Sequence, residues 1–467
     1  MTDKLSTSEI DTYIFNKNDE QEIERFVGIE IYATSKIKGI GGIYKNKFKD
    51  FIVKEIDING KTLSIKEDYK SHPFSKELKD QYTIFNLTKV NKDSFEAIRQ
   101  ISKNLKIPSD WIKYSGIKDK FSISVQKLAI RGNFIEELRR LKLRDIFIRN
   151  IQPSKKSVKL GSHRGNHFTI VLRNIKNSRD LQENLHEYIS FLNNYGFPNY
   201  FGLQRFGSFR PNSHIVGHCL IEGDYKKAFE EYVLTTYSTE LPESKIVRRK
   251  LRNDKNLEKA YETFPKSLNY ERNMILHLIE NPGDYEGSLN TLPSALKQLL
   301  VSSFQSFLFN KMLTLRVDKG FSLFKPIKGD VLSILDDHHG NVTKVKYIYG
   351  KNYDEYLDKA IKLNRAVIIL PIIGNNTNLD DFPLVKQLLE EICAQEKIDK
   401  NIFSSEYFNE PEFKGSLRAI TTKPIGLKMT NFEADDLFTG KTKVKLEFSL
   451  SKGVYATMLI REFIKQS

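Results

Sequence analysis

Alternating runs and amphipathic stretches follow one another along the chain without an internal repeat. Phe51 to Ile56 reads as a strand, because apolar and polar positions exchange at a period of two. Tyr82 to Lys89 reads likewise, with Ile84 and Asn86 facing opposite Phe85 and Leu87. From Ser94 the spacing of Phe95, Ile98, Ile101 and Leu105 is helical, with Ser94 as the expected cap. That helix is expected to stop near Lys106, since Pro108 disfavours helical geometry at Ile107. A loop at Gly116 leads into a strand reaching Ala129, with Ser122, Ser124 and Gln126 on one face and Ile123 and Val125 on the other. His167 to Asn174 alternates again: Phe168, Ile170 and Leu172 share a face, and His167, Thr169, Val171 and Arg173 share the other. Leu181 to Asn194 reads as a helix with the stripe Leu181, Leu185, Tyr188, Ile189 and Leu192. Gly196-Phe197-Pro198-Asn199 breaks it. Most of Asn212 to Met312 reads helical, as does Phe382 to Ala394. Leu446, Phe448 and Leu450 alternate with Glu447 and Ser449 ahead of a last helix near Tyr455.

A chain of 467 residues suggests two or three domains, and a hydrophobic fraction of 39% supplies ordinary globular cores. The formal net charge of +15 points to a polyanionic partner, with RNA, DNA and an anionic membrane all open at this level. No apolar run approaches the roughly 18 residues that span a bilayer. Met1 to Glu24 is polar and mixed in charge, which fits a flexible extension and not a signal or transit peptide. Cys219 and Cys393 lie far apart without a second cysteine at ligand spacing, so a reducing, intracellular setting without zinc is expected. His338-His339-Gly340 lacks helical ligand spacing and reads as an exposed turn. Basic charge concentrates in Arg139, Arg140, Lys142, Arg144, Arg149, Lys155, Lys156, Lys159 and Arg164, against the single acid Asp145. Such a run is either a solvated face or a phosphate-tracking surface. Lys245, Arg248, Arg249, Lys250 and Arg252 could extend that track.

The densest candidate chemistry lies in Ser115-Gly116-Ile117-Lys118-Asp119-Lys120, followed after Phe121 by Ser122-Ile123-Ser124-Val125-Gln126. Glycine permits a tight turn, and lysine and aspartate share its tip. A neighbouring cation favours the carboxylate form, which makes Asp119 a credible nucleophile or base. An Asx-type turn with two solvated charges is the commoner reading of a bare Gly-X-Lys-Asp, so local chemistry alone does not decide for catalysis.

Gly116-Ile117-Lys118-Asp119-Lys120 with Ser124-Val125-Gln126 resembles the signature of the TruD family of pseudouridine synthases, roughly Gly-Thr-Lys-Asp-Arg…Thr-x-Gln. Asp50-Phe51-Ile52-Val53-Lys54-Glu55 resembles that family's N-terminal element, and Gly165-Asn166-His167-Phe168 its Gly-Asn-x-Phe element. Asn199-Tyr200-Phe201-Gly202-Leu203-Gln204-Arg205-Phe206-Gly207 is similar to its longest motif. Gln305-Ser306-Phe307-Leu308-Phe309-Asn310 resembles another, and Gly453-Val454-Tyr455-Ala456-Thr457-Met458 with Arg461-Glu462 the closing one. These segments occur in order from about residue 40 to the end of the chain.

The resemblance implies an α+β fold: a pseudouridine synthase catalytic core of mixed, largely antiparallel sheet with helices, interrupted by an inserted α/β TRUD domain. The core would comprise residues 1–198 plus 421–467 and the insert residues 199–420, with the active cleft between them. It implies isomerisation of uridine to pseudouridine in RNA, most often at uridine 13 of tRNA, on a nucleotide flipped out of its helix. Asp119 would be the catalytic residue, attacking the ribose or removing a ribose proton. By the same pattern Phe168 would stack on the flipped base, and Asn166 would hold Asp119 or the backbone near it. Phe51 and Glu55 would lie at the cleft, and Lys118 would pair with an RNA phosphate or tune Asp119. Read from their own pattern, Phe51 and Phe168 are ordinary strand packing. No metal, organic cofactor, membrane or obligate protein partner is implied, and the setting would be cytoplasmic, or nuclear in a eukaryotic member.

Ile117 stands where the family often has threonine, Ser122-Ile123-Ser124 replaces a more usual strand start, and Ser451 replaces a proline. None of these removes a group the chemistry requires. The length of the insert resembles the archaeal and eukaryotic branch, whose substrate choice is broader. A non-catalytic RNA binder would show the same basic charge but would not need Asp119. A metal-dependent nuclease or phosphoryl-transfer enzyme would need a carboxylate cluster. Asp336-Asp337, Asp380-Asp381 and Asp435-Asp436 stand in no recognisable metal motif.

Overall fold

The computed structural model describes residues 12, 13, 15 and 20–465, apart from 78, 208, 337–340, 400, 401 and 404–412. The His338-His339-Gly340 segment lies outside the described residues. The chain divides into two compact units, one built chiefly from Ala33–Phe197 and Thr422–Ser467, the other from Pro198–Asp337 and Val342–Thr421 with the residues up to Tyr32.

The first unit is organised by eight strands: β1 (Phe51–Ile56), β2 (Tyr82–Val90), β3 (Ile112–Tyr114), β4 (Ile123–Arg131), β5 (Ile146–Ser154), β6 (Gly165–Lys176), β7 (Ile425–Ala434) and β8 (Lys441–Ser451). They run in the order β7-β8-β6-β1-β4-β2-β5, with β3 added beside β4. Every pairing is antiparallel except β1 with β4. The predicted alternation holds: Val444, Leu446, Phe448 and Leu450 are all buried on one face of β8. Helix α1 (Ser94–Leu105) buries Ala97, Ile98 and Ile101 against Phe85, Leu87, Leu128 and Ile130. Its cap is Asp93, not Ser94 as expected, because the Asp93 carboxylate accepts from Phe95 N and Glu96 N at 2.9 and 3.1 Å. Ser94 is already helical and turns its hydroxyl inward. Phe95, counted in the apolar stripe, is instead exposed and meets Tyr114 edge-on. A short helix, α2 (Ile135–Arg140), adds Ile135 and Leu138 to the same core. Helix α3 (Leu181–Tyr195) buries the predicted stripe at Leu181, Leu185, Tyr188 and Leu192, and Tyr188 packs on Phe463 of α4 (Ala456–Ile464).

One buried cation ties three parts of this unit together. Arg173 of β6 donates to both carboxylate oxygens of Asp50 at 2.9 Å and, through Nη1, to Asp435 and Asp436 at 2.9 and 2.8 Å. Burial alone would raise the Asp435 pKa, but bonds from Asn174 N, Leu437 N and Arg173 outweigh it and hold this carboxyl below its ordinary value. Lys443 and then Arg173 hold Asp436 lower still. Carboxyls depressed in the folded state stabilise it at neutral pH, and that contribution is lost as acid protonates them. Unfolding midpoints in denaturant are therefore expected to fall as the pH drops below about 4, and Asp436→Asn is expected to make the fall shallower. A pH-independent midpoint over that range would refute the linkage.

The second unit is mainly helical, with helices Ser213–Glu222, Pro242–Asp254, Asn269–Glu280, Ser294–Asp318 and Pro383–Glu396. It also holds a four-stranded antiparallel sheet in the order Val342–Ile348, Val331–Leu335, Ala366–Ile372, Ser416–Ala419. Two of the resembling segments do structural work here. Asn310 receives Phe201 N at 2.9 Å and donates to Phe201 O and Val27 O, while Gln305 donates to Ile373 O. The described part of the N-terminal stretch, expected as part of the core, belongs instead to this unit. Thr12–Tyr13 pairs with Thr236–Tyr237, and Tyr13 stacks on Tyr237 at 4.7 Å. Arg248 does not extend a basic surface: it is buried and paired with Glu240 and Glu271 at 3.0 and 2.6 Å.

Candidate active site

The face predicted for Ser122, Ser124 and Gln126 collects polar groups from four neighbouring strands. Strand register sets Lys89 opposite Ser124, Val53 beside Ser124 and Phe168 opposite Val53. Two residues along, Leu87 stands opposite Gln126, and Glu55 opposite Asn166. Opposed residues in adjacent strands share a face, so Lys89, Ser124, Gln126, Glu55, Asn166 and Phe168 lie together.

The turn between β3 and β4 folds down onto this patch. Glu55, 1% exposed, accepts from Ser115 Oγ at 2.6 Å, Lys118 Nζ at 2.9 Å and Lys127 N at 3.2 Å. Ser94 Oγ meets both the N–H and the carbonyl of Lys118 at 3.2 Å. The next residue, Asp119, has its main-chain oxygen bonded by Ser122 Oγ at 2.7 Å and Lys89 Nζ at 2.5 Å. Its carboxylate turns outward, 39% exposed, and pairs with Lys45 Nζ at 3.1 Å. That same Nζ lies 4.2 Å from the centre of the Phe51 ring. The result is a solvent-accessible carboxylate on a turn pinned from beneath, with an ammonium at its side.

Gly116 does not have a positive φ, so the turn does not need glycine for its backbone. Space there is tight: a Cβ would lie 3.2 Å from His163 Cε1, so the imidazole would have to give way slightly. Burial, and then the charge of Lys118, lower the His163 pKa, so this ring is neutral at pH 7. Gly165 has a sharper reason: a Cβ would meet Leu450 O at 2.1 Å, where β8 runs close to the Gly165-Asn166 segment.

The residues named from sequence are therefore adjacent, but several face inward. Phe168 is 6% exposed, stacked on Phe448 at 5.4 Å and edge-on to Phe51 at 6.1 Å. In this structure both rings pack as their own pattern reads. Lys118 pairs with Glu55 and is closed off from solvent, not poised at the surface for a phosphate. Glu55 lies under the turn, not on an open cleft wall. Asn166 Oδ1 is buried without a hydrogen-bond partner, and no bond joins it to Asp119.

Two cations were missed. Lys45 sits in an irregular stretch whose pattern carries no signal. Lys89 did leave one: it continues the apolar face of Phe85 and Leu87, where a lysine is out of place. Arg139, Arg140, Lys142, Arg144, Lys155, Lys156 and Lys159 are all exposed. Among the described residues no three His, Cys, Asp or Glu side chains are grouped to hold a metal, and no helix is long and apolar enough to cross a membrane.

Comparison with known proteins identifies the family. The family model for TruD, tRNA pseudouridine synthase D, matches residues 26–463. A "Probable tRNA pseudouridine synthase D" of Methanosarcina mazei is 33% identical over 451 residues, covering 95% of this chain and 98% of the relative. Its counterpart in Thermococcus sibiricus is 30% identical, covering 92% and 96%. The crystal structure of a TruD protein from Methanosarcina mazei superposes with a TM-score of 0.75 at 31% identity, covering 96% of this chain and 98% of that one. With its family model matched almost end to end and its α+β fold shared, the chain belongs to the TruD family of pseudouridine synthases.

Proposed function

We propose that this enzyme isomerises uridine 13 of tRNA to pseudouridine, with Asp119 acting on the flipped nucleotide. The observation that carries the reading is the outward carboxylate of Asp119, paired with Lys45 on a turn held by buried polar contacts. The reaction breaks the bond from uracil N1 to ribose C1′ and makes one from C5 to the same carbon. Nothing is oxidised, and the hydrogen leaving C5 is replaced by one at N1. Attack on C1′ and removal of a ribose proton both need a free carboxylate within reach of the sugar, and the exposure of Asp119 meets that need. Its fixed backbone favours one approach, as preorganised groups must.

The exposed lysines and arginines between Arg139 and Lys159 suit a phosphate track. The stacking partner expected at Phe168 meets Phe51 edge-on at 6.1 Å, and the Lys45 ammonium over the Phe51 ring also pairs with Asp119, which places that aromatic pair near the carboxylate. We assign the catalytic core to residues 33–198 plus 421–467 and the insert to residues 199–420, with the residues up to Tyr32 grouped with the insert. Cys219 and Cys393 are both buried and outside any disulfide, which suits a cytoplasmic setting.

The test is conversion of an unmodified tRNA transcript, mapped by position, against a transcript carrying cytidine at position 13. Near-complete conversion at position 13, and none in the altered transcript, is the expected result. Conversion elsewhere would move the target. Tight binding without conversion would favour a non-catalytic RNA binder.

A further inference from the structure

Lys89 is fully buried at the end of the apolar face of β2. Among the described residues no carboxylate pairs with its ammonium, and its hydrogen bond goes to the main-chain oxygen of Asp119 at 2.5 Å. Burying an ammonium without a counter-ion is strongly unfavourable, and an apolar side chain would have continued the pattern set by Phe85 and Leu87. The nearby charges are committed elsewhere. Asp93 caps α1, Lys118 is paired with Glu55, and the Asp119 carboxylate is paired with Lys45.

We propose that Lys89 is a positioning residue for Asp119, clamping its carbonyl together with Ser122 Oγ and so aiming the carboxylate toward Lys45 and the substrate. The inference rests on Asp119 being the catalytic residue. A charged donor makes the stronger bond to a carbonyl, so the clamp is tightest while Lys89 is protonated. Burial pulls its pKa down to about 8, with Asp119 and Asp93 resisting and Lys118 adding to the fall. The clamp is thus present at neutral pH and weakens as the pH rises through about 8.

The experiment is kcat and KM for tRNA conversion between about pH 6.5 and about pH 9.5, for the native chain, Lys89→Met, Lys89→Gln and Asp119→Ala. The native kcat is expected to fall above pH 8. Lys89→Met is expected to lower kcat about tenfold at neutral pH, leave KM within about twofold, and lose the fall above pH 8. Lys89→Gln keeps a neutral donor and is expected to recover part of kcat, also without that fall. It keeps the test open if the methionine variant folds poorly. A kcat within about twofold of native in both variants, or a fall near pH 8 that persists in them, overturns the clamp. Activity surviving in Asp119→Ala overturns the reading of Asp119 and the clamp with it. Activity lost there but unmoved by the Lys89 variants overturns the clamp alone.

Discussion

Asp119→Asn is expected to abolish pseudouridine formation while leaving the fold and RNA binding in place. The carboxylate is 39% exposed and, among the described residues, its ion-pair partner is Lys45, itself partly exposed. An amide of the same shape can still accept from that ammonium, and no buried charge is left behind. Stability should therefore change little, as for surface pairs in general. The chemistry is different. An amide neither attacks C1′ nor accepts a ribose proton, so whichever route the enzyme uses, the variant loses it. General acid–base groups alone contribute about 10² to 10⁴ in rate, and loss of a nucleophile costs at least as much. Release of tritium from tRNA labelled at uracil C5 measures the rate directly, because the new bond forms at that carbon. A rate within about tenfold of native, with tRNA binding unchanged, would remove Asp119 from the mechanism.

Much of the fold can be read from the sequence because it is carried by local period. The β8 alternation and the α3 stripe survive into the structure, since a slip of one residue would turn the apolar set to solvent. The helix boundary before Pro108 survives for the same local reason. What the pattern does not contain is which strands lie side by side. Glu55 and Lys118 are 63 residues apart, and Lys45 and Asp119 are 74 apart. Their meeting depends on the parallel placement of β1 beside β4, and no local period encodes it. Charge also misleads when read alone. Arg248 sits in a basic run yet lies buried between two glutamates, and Lys118 sits beside an exposed aspartate yet faces inward. The motif resemblance picks out residues that the structure places side by side, but it carries no direction for their side chains, because a motif preserves positions whether they act on substrate or hold the turn.

That distinction can be measured at Lys118. Its ammonium and the Glu55 carboxylate are 3% and 1% exposed, so neither has solvent to fall back on. Removing one partner of a buried pair strands the other charge, at a cost of about 3–5 kcal/mol. Lys118→Met is expected to lose that much in denaturant unfolding, and Glu55→Leu a similar amount by stranding Lys118. Replacing both together takes two charges out of the interior and should cost far less than the sum, with a favourable coupling of about 2 kcal/mol or more. Ser115 Oγ and Lys127 N would then lose their acceptor, so some penalty remains. The double variant gives the sharper functional readout. Its stability should approach native, yet the turn carrying Asp119 has lost the anchor one residue before it, so kcat should fall well below native with tRNA binding intact. A double variant that is stable and fully active would show that Ser94, Ser122 and Lys89 hold the turn without the ion pair. Additive losses would show instead that Glu55 and Lys118 stabilise the unit through separate contacts.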